Sequence, residues 1–235
     1  MRTMKQVTIV VCALLATSTA FITPRDLIDE ATKQLEELKA TVQGQILAAH
    51  SELEEIDQDF QTYGVNTADA ALITIQQEKE TIDAQLQTVK DLAHSAGKDI
   101  TSCTNIREDV LNRLPSTYAE QIIKQIGGLI KEVGALLSEA RYIVDISINK
   151  VHDLEHQLAN CKGEILCISP LITEIQLNKI RLPQNIKTEV QAAESLVTTL
   201  KVSVNDAGEQ NVAQYTSEAS AILGDITACV NRIIG

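Results

Sequence analysis

Apolar residues recur at steps of mostly three and four over nearly the whole chain after residue 34. The longest such stretch runs from Tyr118 to Cys161. Its apolar positions include Ile122, Ile126, Leu129, Val133, Leu136, Ala140, Ile143, Val151, Leu154 and Leu158, with Ser147 filling the one vacant slot. That spacing places one apolar stripe along one side of a helix. As helix it would reach roughly 65 Å at ~1.5 Å per residue, and its stripe would need partner helices to cover it.

Before this spine, Leu35, Leu38, Val42, Ile46, Ala49, Leu53, Ile56, Phe60 and Tyr63 form a narrow seam close to that of a coiled coil. Thr23, Pro24 and Asp26 suit the cap and first turn of that helix. Gly64 to Thr67 reads as a turn, because Gly64 can adopt a left-handed conformation and Asn66 or Thr67 can cap a following helix. A second helix through Leu72, Ile75, Ile82, Leu86 and Val89 then stops near Gly97, which completes an antiparallel hairpin.

Behind it, Pro115 is expected to break or kink a short helix that starts near Cys103, and Thr117 with Glu120 to cap the spine. Gly127, Gly128 and Gly134 inside the spine suggest close helix packing or a bend. Gly163 is expected to cap the spine's end. A helix from Ser169-Pro170, carrying Leu171, Ile175 and Ile180, is interrupted at Leu182-Pro183. Its continuation, through Ile186, Val190, Ala193, Leu196, Leu200 and Val204, turns at Asn205 to Gly208. A last helix carries Val212, Tyr215, Ala219, Ile222 and Ile226. These rod lengths place Cys229 nearer the Cys161 end of the spine than its start. No strand and no repeat of fixed period is read. The expected fold class is all-α: long amphipathic helices in an antiparallel hairpin, followed by a disulfide-stapled helical bundle. The expected segments are 1–20, 21–98 (hairpin) and 99–235 (stapled bundle).

The first twenty residues read as a secretory signal peptide. Arg2 and Lys5 precede a ten-residue apolar run, Val7 to Ala16, and Thr17 to Ala20 are small. The run is too short to span a bilayer, and no later stretch is apolar enough to do so. Removing this segment, which carries two basic residues and no acidic one, takes the net charge from −12 to −14. A chain that acidic, with no basic cluster, is not built to hold nucleic acid or anionic lipid. Six aromatic residues and no Trp leave no stacking platform for bases or sugars.

Four cysteines remain: Cys103, Cys161, Cys167 and Cys229. An even count in an exported chain predicts two disulfides, with three possible connectivities. A local Cys161–Cys167 bridge with a long Cys103–Cys229 clasp is one of them. Zinc is the competing reading, but no C-x₂₋₄-C pair occurs.

The region Cys103 to Cys229 resembles the insect-secreted TsetseEP domain family, formerly a domain of unknown function. The shared features are the signal peptide, the helical four-cysteine region, the close pair in Asn160-Cys161-Lys162-Gly163-Glu164-Ile165-Leu166-Cys167, and the cysteine in Thr227-Ala228-Cys229-Val230. The family's Glu-Pro repeat is missing here, and the match covers about half the chain. The resemblance implies an extracellular insect protein of gut or body fluid with no established catalysis.

The sharpest candidate for chemistry is His152-Asp153-Leu154-Glu155-His156. His152 and His156, four apart, share a helix face, as in the H-E-x-x-H motif of zinc proteases. Asp153 replaces the catalytic Glu and no third ligand can be named, so a solvated helix face is the preferred reading. No catalytic triad or dyad is defensible, no cofactor is implied, and no N-x-[ST] sequon follows residue 20. The functional expectation is a secreted structural or interaction protein acting through helix surfaces, without catalysis. Its partner would be an extracellular protein or a second copy. The alternative is an extracellular carrier of lipid or another apolar small molecule held between helices.

Overall fold

The computed structural model describes residues 23–235. The expected signal segment, 1–20, lies outside the described residues. The described chain is all-helical: α1 spans Pro24–Ser95, α2 Thr101–Asn160 and α3 Ile165–Ile234. Thr23 and Asp26 cap α1 reciprocally: the Asp26 N–H donates to Thr23 Oγ1 (3.3 Å) and the Thr23 N–H to Asp26 Oδ2 (3.0 Å). α1 ends at Gly97, whose φ of 65° lets the Lys98 N–H reach back to the Ala93 carbonyl (3.0 Å). Lys162 (φ 47°) and Gly163 (φ 87°) make the other reversal.

Several expected interruptions are absent. α1 runs straight through Gly64 to Thr67, so Pro24–Ser95, within the expected segment 21–98, is one helix and not a hairpin. Pro115, Pro170 and Pro183 lie inside helices, and Asn205 to Gly208 is helical. α2 starts at Thr101, with Asp99 Oδ1 accepting from the Thr101 N–H (2.9 Å), rather than at a Thr117–Glu120 cap. An interior proline costs ~3 kcal/mol. Here it is outweighed by burial on both sides, with Leu111, Leu114 and Tyr118 all in the core around Pro115.

Two of the supposed turn glycines are packing glycines. A Cβ on Gly64 would stand 3.0 Å from Ile130 Cδ1 and 3.3 Å from Ile126 Cγ2. One on Gly208 would stand 3.4 Å from Thr67 Cγ2 and 3.6 Å from the Ala71 Cβ. Gly127, Gly128 and Gly134, expected at close contacts, have nothing within 4 Å of that position.

The described chain forms two compact units, one of residues 23–49 with 143–188, the other of 50–142 with 189–235. Each draws residues from all three helices and from either side of position 98. In the first unit the buried positions follow a heptad. On α1 they are Ala31, Leu35, Leu38, Val42 and Ala49; on α3 they are Ile168, Leu171, Ile175, Asn178 and Leu182, after which Ile186 steps off the repeat. The ion pairs Lys39–Glu155 (2.8 Å), Lys150–Glu174 (2.7 Å) and Lys179–Glu37 (2.7 Å) join its three helices pairwise.

In the second unit the buried positions repeat every eleven residues. On α1 these are Leu53, Gly64, Ile75 and Leu86, with Phe60, Ala71, Ile82 and Ala93 seven residues behind each. On α3 they are Ala193, Val204, Tyr215 and Ile226, followed four residues later by Val197, Gly208, Ala219 and Val230. On α2 they include Leu111, Ile122 and Val133. An eleven-residue repeat is ~3.67 residues per turn, slightly more than a straight helix, and favours a right-handed rather than left-handed winding. This period also moves the core on α2: Leu137 is fully buried where Leu136 was expected, and just inside the first unit Val144 is fully buried where Ile143 was. Within the unit α1 and α2 are antiparallel, as Lys90–Glu108 (2.5 Å) and Arg141–Glu54 (2.8 Å) show. α3 is parallel to α1, with Gly208 beside Thr67 and Lys201 over the Tyr63 ring.

Candidate functional site

The four expected cysteines pair as Cys103–Cys229, with Cα atoms 5.7 Å apart, and Cys161–Cys167, 5.5 Å apart. Because α3 does not turn at 205–208, Cys229 lies beside the start of α2 and not towards its Cys161 end. The long bridge therefore ties the first turn of α2 to the last turns of α3 within the second unit. The short one closes the α2–α3 reversal within the first. All four sulfurs are committed to structure, which leaves no thiolate for nucleophilic chemistry among the described residues.

His152 and His156 both face solvent, since Val151 and Leu154 take the core side of that turn. Glu155 between them is held by Lys39 at 2.8 Å, and that hydrogen bond keeps its carboxyl below the usual value, with the Lys39 charge and the two imidazoles adding to the effect. Among the described residues no group of three or more His, Cys, Asp or Glu side chains is arranged to hold a metal.

One polar cluster was not legible in the sequence. In the second unit Tyr118 Oη donates to Glu218 Oε2 (2.8 Å), and its ring meets the Tyr215 ring edge-on at 6.0 Å between centroids. Beyond it Asn211, 3% exposed, donates to Gln125 Oε1 (2.8 Å) and the Ala207 carbonyl (2.7 Å). The Glu218 hydrogen bond raises the Tyr118 pKa, and burial adds to it. Burial raises that of Tyr215, helped by the charges of Asp83 and Glu78. Tyrosines at core positions were the available signal, but partners nearly a hundred residues away leave no local trace. A phenol held neutral by a carboxylate is a poor proton acceptor or nucleophile, so this cluster orders the core.

Two surface features bear on binding. The first is an open groove of about 350 Å³ between α1 and α3 in the second unit, walled by Thr67, Ala70, Ala71 and Thr74 on one side and by Asn205, Gly208, Glu209, Val212 and Ala213 on the other. The second is a set of large apolar side chains that the core leaves outside. Leu166 is 92% exposed, Ile106 78%, Leu47 73%, Tyr142 and Ile180 66% each. Ile180 and Leu196 were expected on the inner stripe of α3. Instead Asn178 and Leu182 flank Ile180 on the core side, and Val197 takes the place expected for Leu196.

No described helix is long and apolar enough to cross a membrane. Compared with known protein families, curated proteins and solved structures, the chain shows no match to any of the three.

Proposed function

We propose that this chain is a secreted insect protein that acts by surface interaction through its helix faces, and that it is not an enzyme. The observation that carries this reading is the set of large apolar side chains left on outer faces while the inward positions of the same helices are filled. Exposed apolar surface on long helices is what another helix packs against. Two disulfides suit an oxidising compartment, in keeping with export after a signal peptide and with the resemblance to the TsetseEP family.

The carrier reading rests on the mainly apolar groove between α1 and α3 in the second unit, whose α3 wall also carries Asn205 and Glu209. It would take one hydrocarbon chain or a small apolar molecule along its Ala and Thr walls. Native mass spectrometry of the protein secreted by insect cells, repeated after organic extraction, separates the two readings. Added mass that vanishes on extraction favours the carrier and sinks the interaction reading for this chain. A bare mass of residues 21–235 less four hydrogens, or a multiple of it, supports the interaction protein.

A further inference from the structure

α3 carries a second seam. In the first unit its inner face is Ile168, Leu171, Ile175, Asn178 and Leu182, all buried. On the opposite face Leu166, Pro170, Thr173, Leu177 and Ile180 are all exposed, at steps of four, three, four and three. This is heptad spacing again, and none of the five carries a charge. The Thr173 hydroxyl already donates to the Ser169 carbonyl (3.5 Å), so its methyl group is free to pack. A helix with two heptad seams has two partners' worth of packing surface, and the fold covers only one.

From this arrangement we propose that the outer seam of α3 pairs antiparallel with the same seam of a second copy of this chain; the inference rests on the surface-interaction reading above. Three observations select that occupant. The seam is narrow and in coiled-coil register, whereas a helix lying on a membrane has a wide apolar face fringed with Lys and Arg. Here Glu174 and Arg181 flank it. The seam is also self-complementary: turned about Thr173, Leu166 of one copy meets Ile180 of the other, and Pro170 falls one residue, ~1.5 Å, from Leu177. Finally, charge permits self-approach at this place. The first unit has eight basic and ten acidic residues among those described, against ten basic and 22 acidic in the second. A cationic partner would be drawn to the second unit, while two like copies repel least through the first. The seam is ~22 Å of helix, and its area falls below the ~800 Å² per partner of a standard interface, so the dimer is weak and concentration-dependent.

The test is sedimentation of the secreted chain over a range of concentrations, with Leu166→Glu and Ile180→Lys measured singly and mixed. Both side chains are exposed, and far-UV ellipticity checks that the variants remain helical. The wild type is expected to dimerise, and each variant alone to dimerise ~100-fold more weakly, because a charge is set against an apolar side chain at both ends of the pair. Mixing the two restores dimers, since antiparallel pairing sets Glu against Lys at one end and Leu against Ile at the other. Val202→Glu, which charges an exposed apolar position in the second unit, leaves dimerisation unchanged. A wild type that stays monomeric throughout overturns the proposal. So does a dimer that both seam variants retain; self-association through another face would then leave the surface-interaction reading intact. Loss in each variant without rescue on mixing overturns the antiparallel register.

Discussion

Replacing Gly64 and Gly208 by alanine in turn separates the continuous helices from the turns that their sequences suggest. Both glycines lie in helix interiors, where glycine costs ~0.8–1 kcal/mol relative to alanine. At Gly208 the added methyl group meets Thr67 Cγ2 at 3.4 Å and the Ala71 Cβ at 3.6 Å, which is ordinary contact. It therefore adds buried apolar surface, worth up to ~0.8 kcal/mol for a methylene-sized group. Gly208→Ala should stabilise the protein by about 1–1.5 kcal/mol in all. At Gly64 the methyl group meets three isoleucine carbons between 3.0 and 3.3 Å away. Ile130 can swing its outer carbons aside, but Ile126 is 2% exposed and has nowhere to move. Overpacking of this kind costs ~1–3 kcal/mol and cancels or exceeds the propensity gain. Gly64→Ala should thus fall between no change and a loss of about 2 kcal/mol. Gly127→Ala, with open space around it, is the propensity control at a gain of about 1 kcal/mol. Thermal unfolding followed by far-UV ellipticity reads all three, with each kilocalorie moving the midpoint ~2–4 °C. If 205–208 were a left-handed turn, Gly208→Ala would destabilise; that result, or a Gly64→Ala gain equal to that of Gly127→Ala, refutes the packing argument.

Removing the long bridge with Cys103→Ser and Cys229→Ser should cost about 4–5 kcal/mol, and removing the short one with Cys161→Ser and Cys167→Ser about 2 kcal/mol, because loop-closure entropy grows with loop length. Thermal unfolding under non-reducing conditions checks the order, which an equal loss would contradict. Tyr118 and Tyr215 both have raised pKa values, so their neutral forms are favoured by the fold. Their contribution to stability is present in full below pH 10.0 and lost as pH rises through the folded values. Absorbance at 295 nm should show Tyr118→Phe removing a late-titrating phenol, and loss of an early one would count against the Glu218 contact. Glu155 is lowered, chiefly by Lys39, so the pair stabilises above pH 4.5 and fades as pH falls through the lowered value. Carboxyl NMR should show Lys39→Met moving the Glu155 titration upward, and an unmoved midpoint would argue against the pair. Replacing His152 and His156 together by alanine should change stability by less than ~0.5 kcal/mol, as for other exposed positions; a large change in urea midpoint would point to a role the geometry does not supply.

The sequence alone determined the helical class, the start of α1 at Thr23, a helix stop at Gly97, the reversal at Gly163, and the expectation that Cys103, Cys161, Cys167 and Cys229 pair. These are properties of local spacing and of single residues: an apolar stripe at steps of three and four, a capping hydroxyl, a glycine free to take positive φ. The tertiary structure alone decided what the interior glycines and prolines do. Gly64 and Gly208 look like turn residues until Ile126, Ile130 and Thr67 are seen pressing on them from other helices, and Pro115 and Pro183 look like breaks until the burial on either side is counted. It also decided the period. Steps of three and four fit seven or eleven residues almost equally over a few turns, and only the buried set, with Leu137 in place of Leu136, distinguishes them. The outer seam of α3 was hidden for the same reason: Ile180 satisfies a helical stripe, but which of two stripes faces the core depends on where α1 and α2 lie. Local chemistry sets where a helix can begin and end, and packing against distant residues sets whether it does and which side it buries.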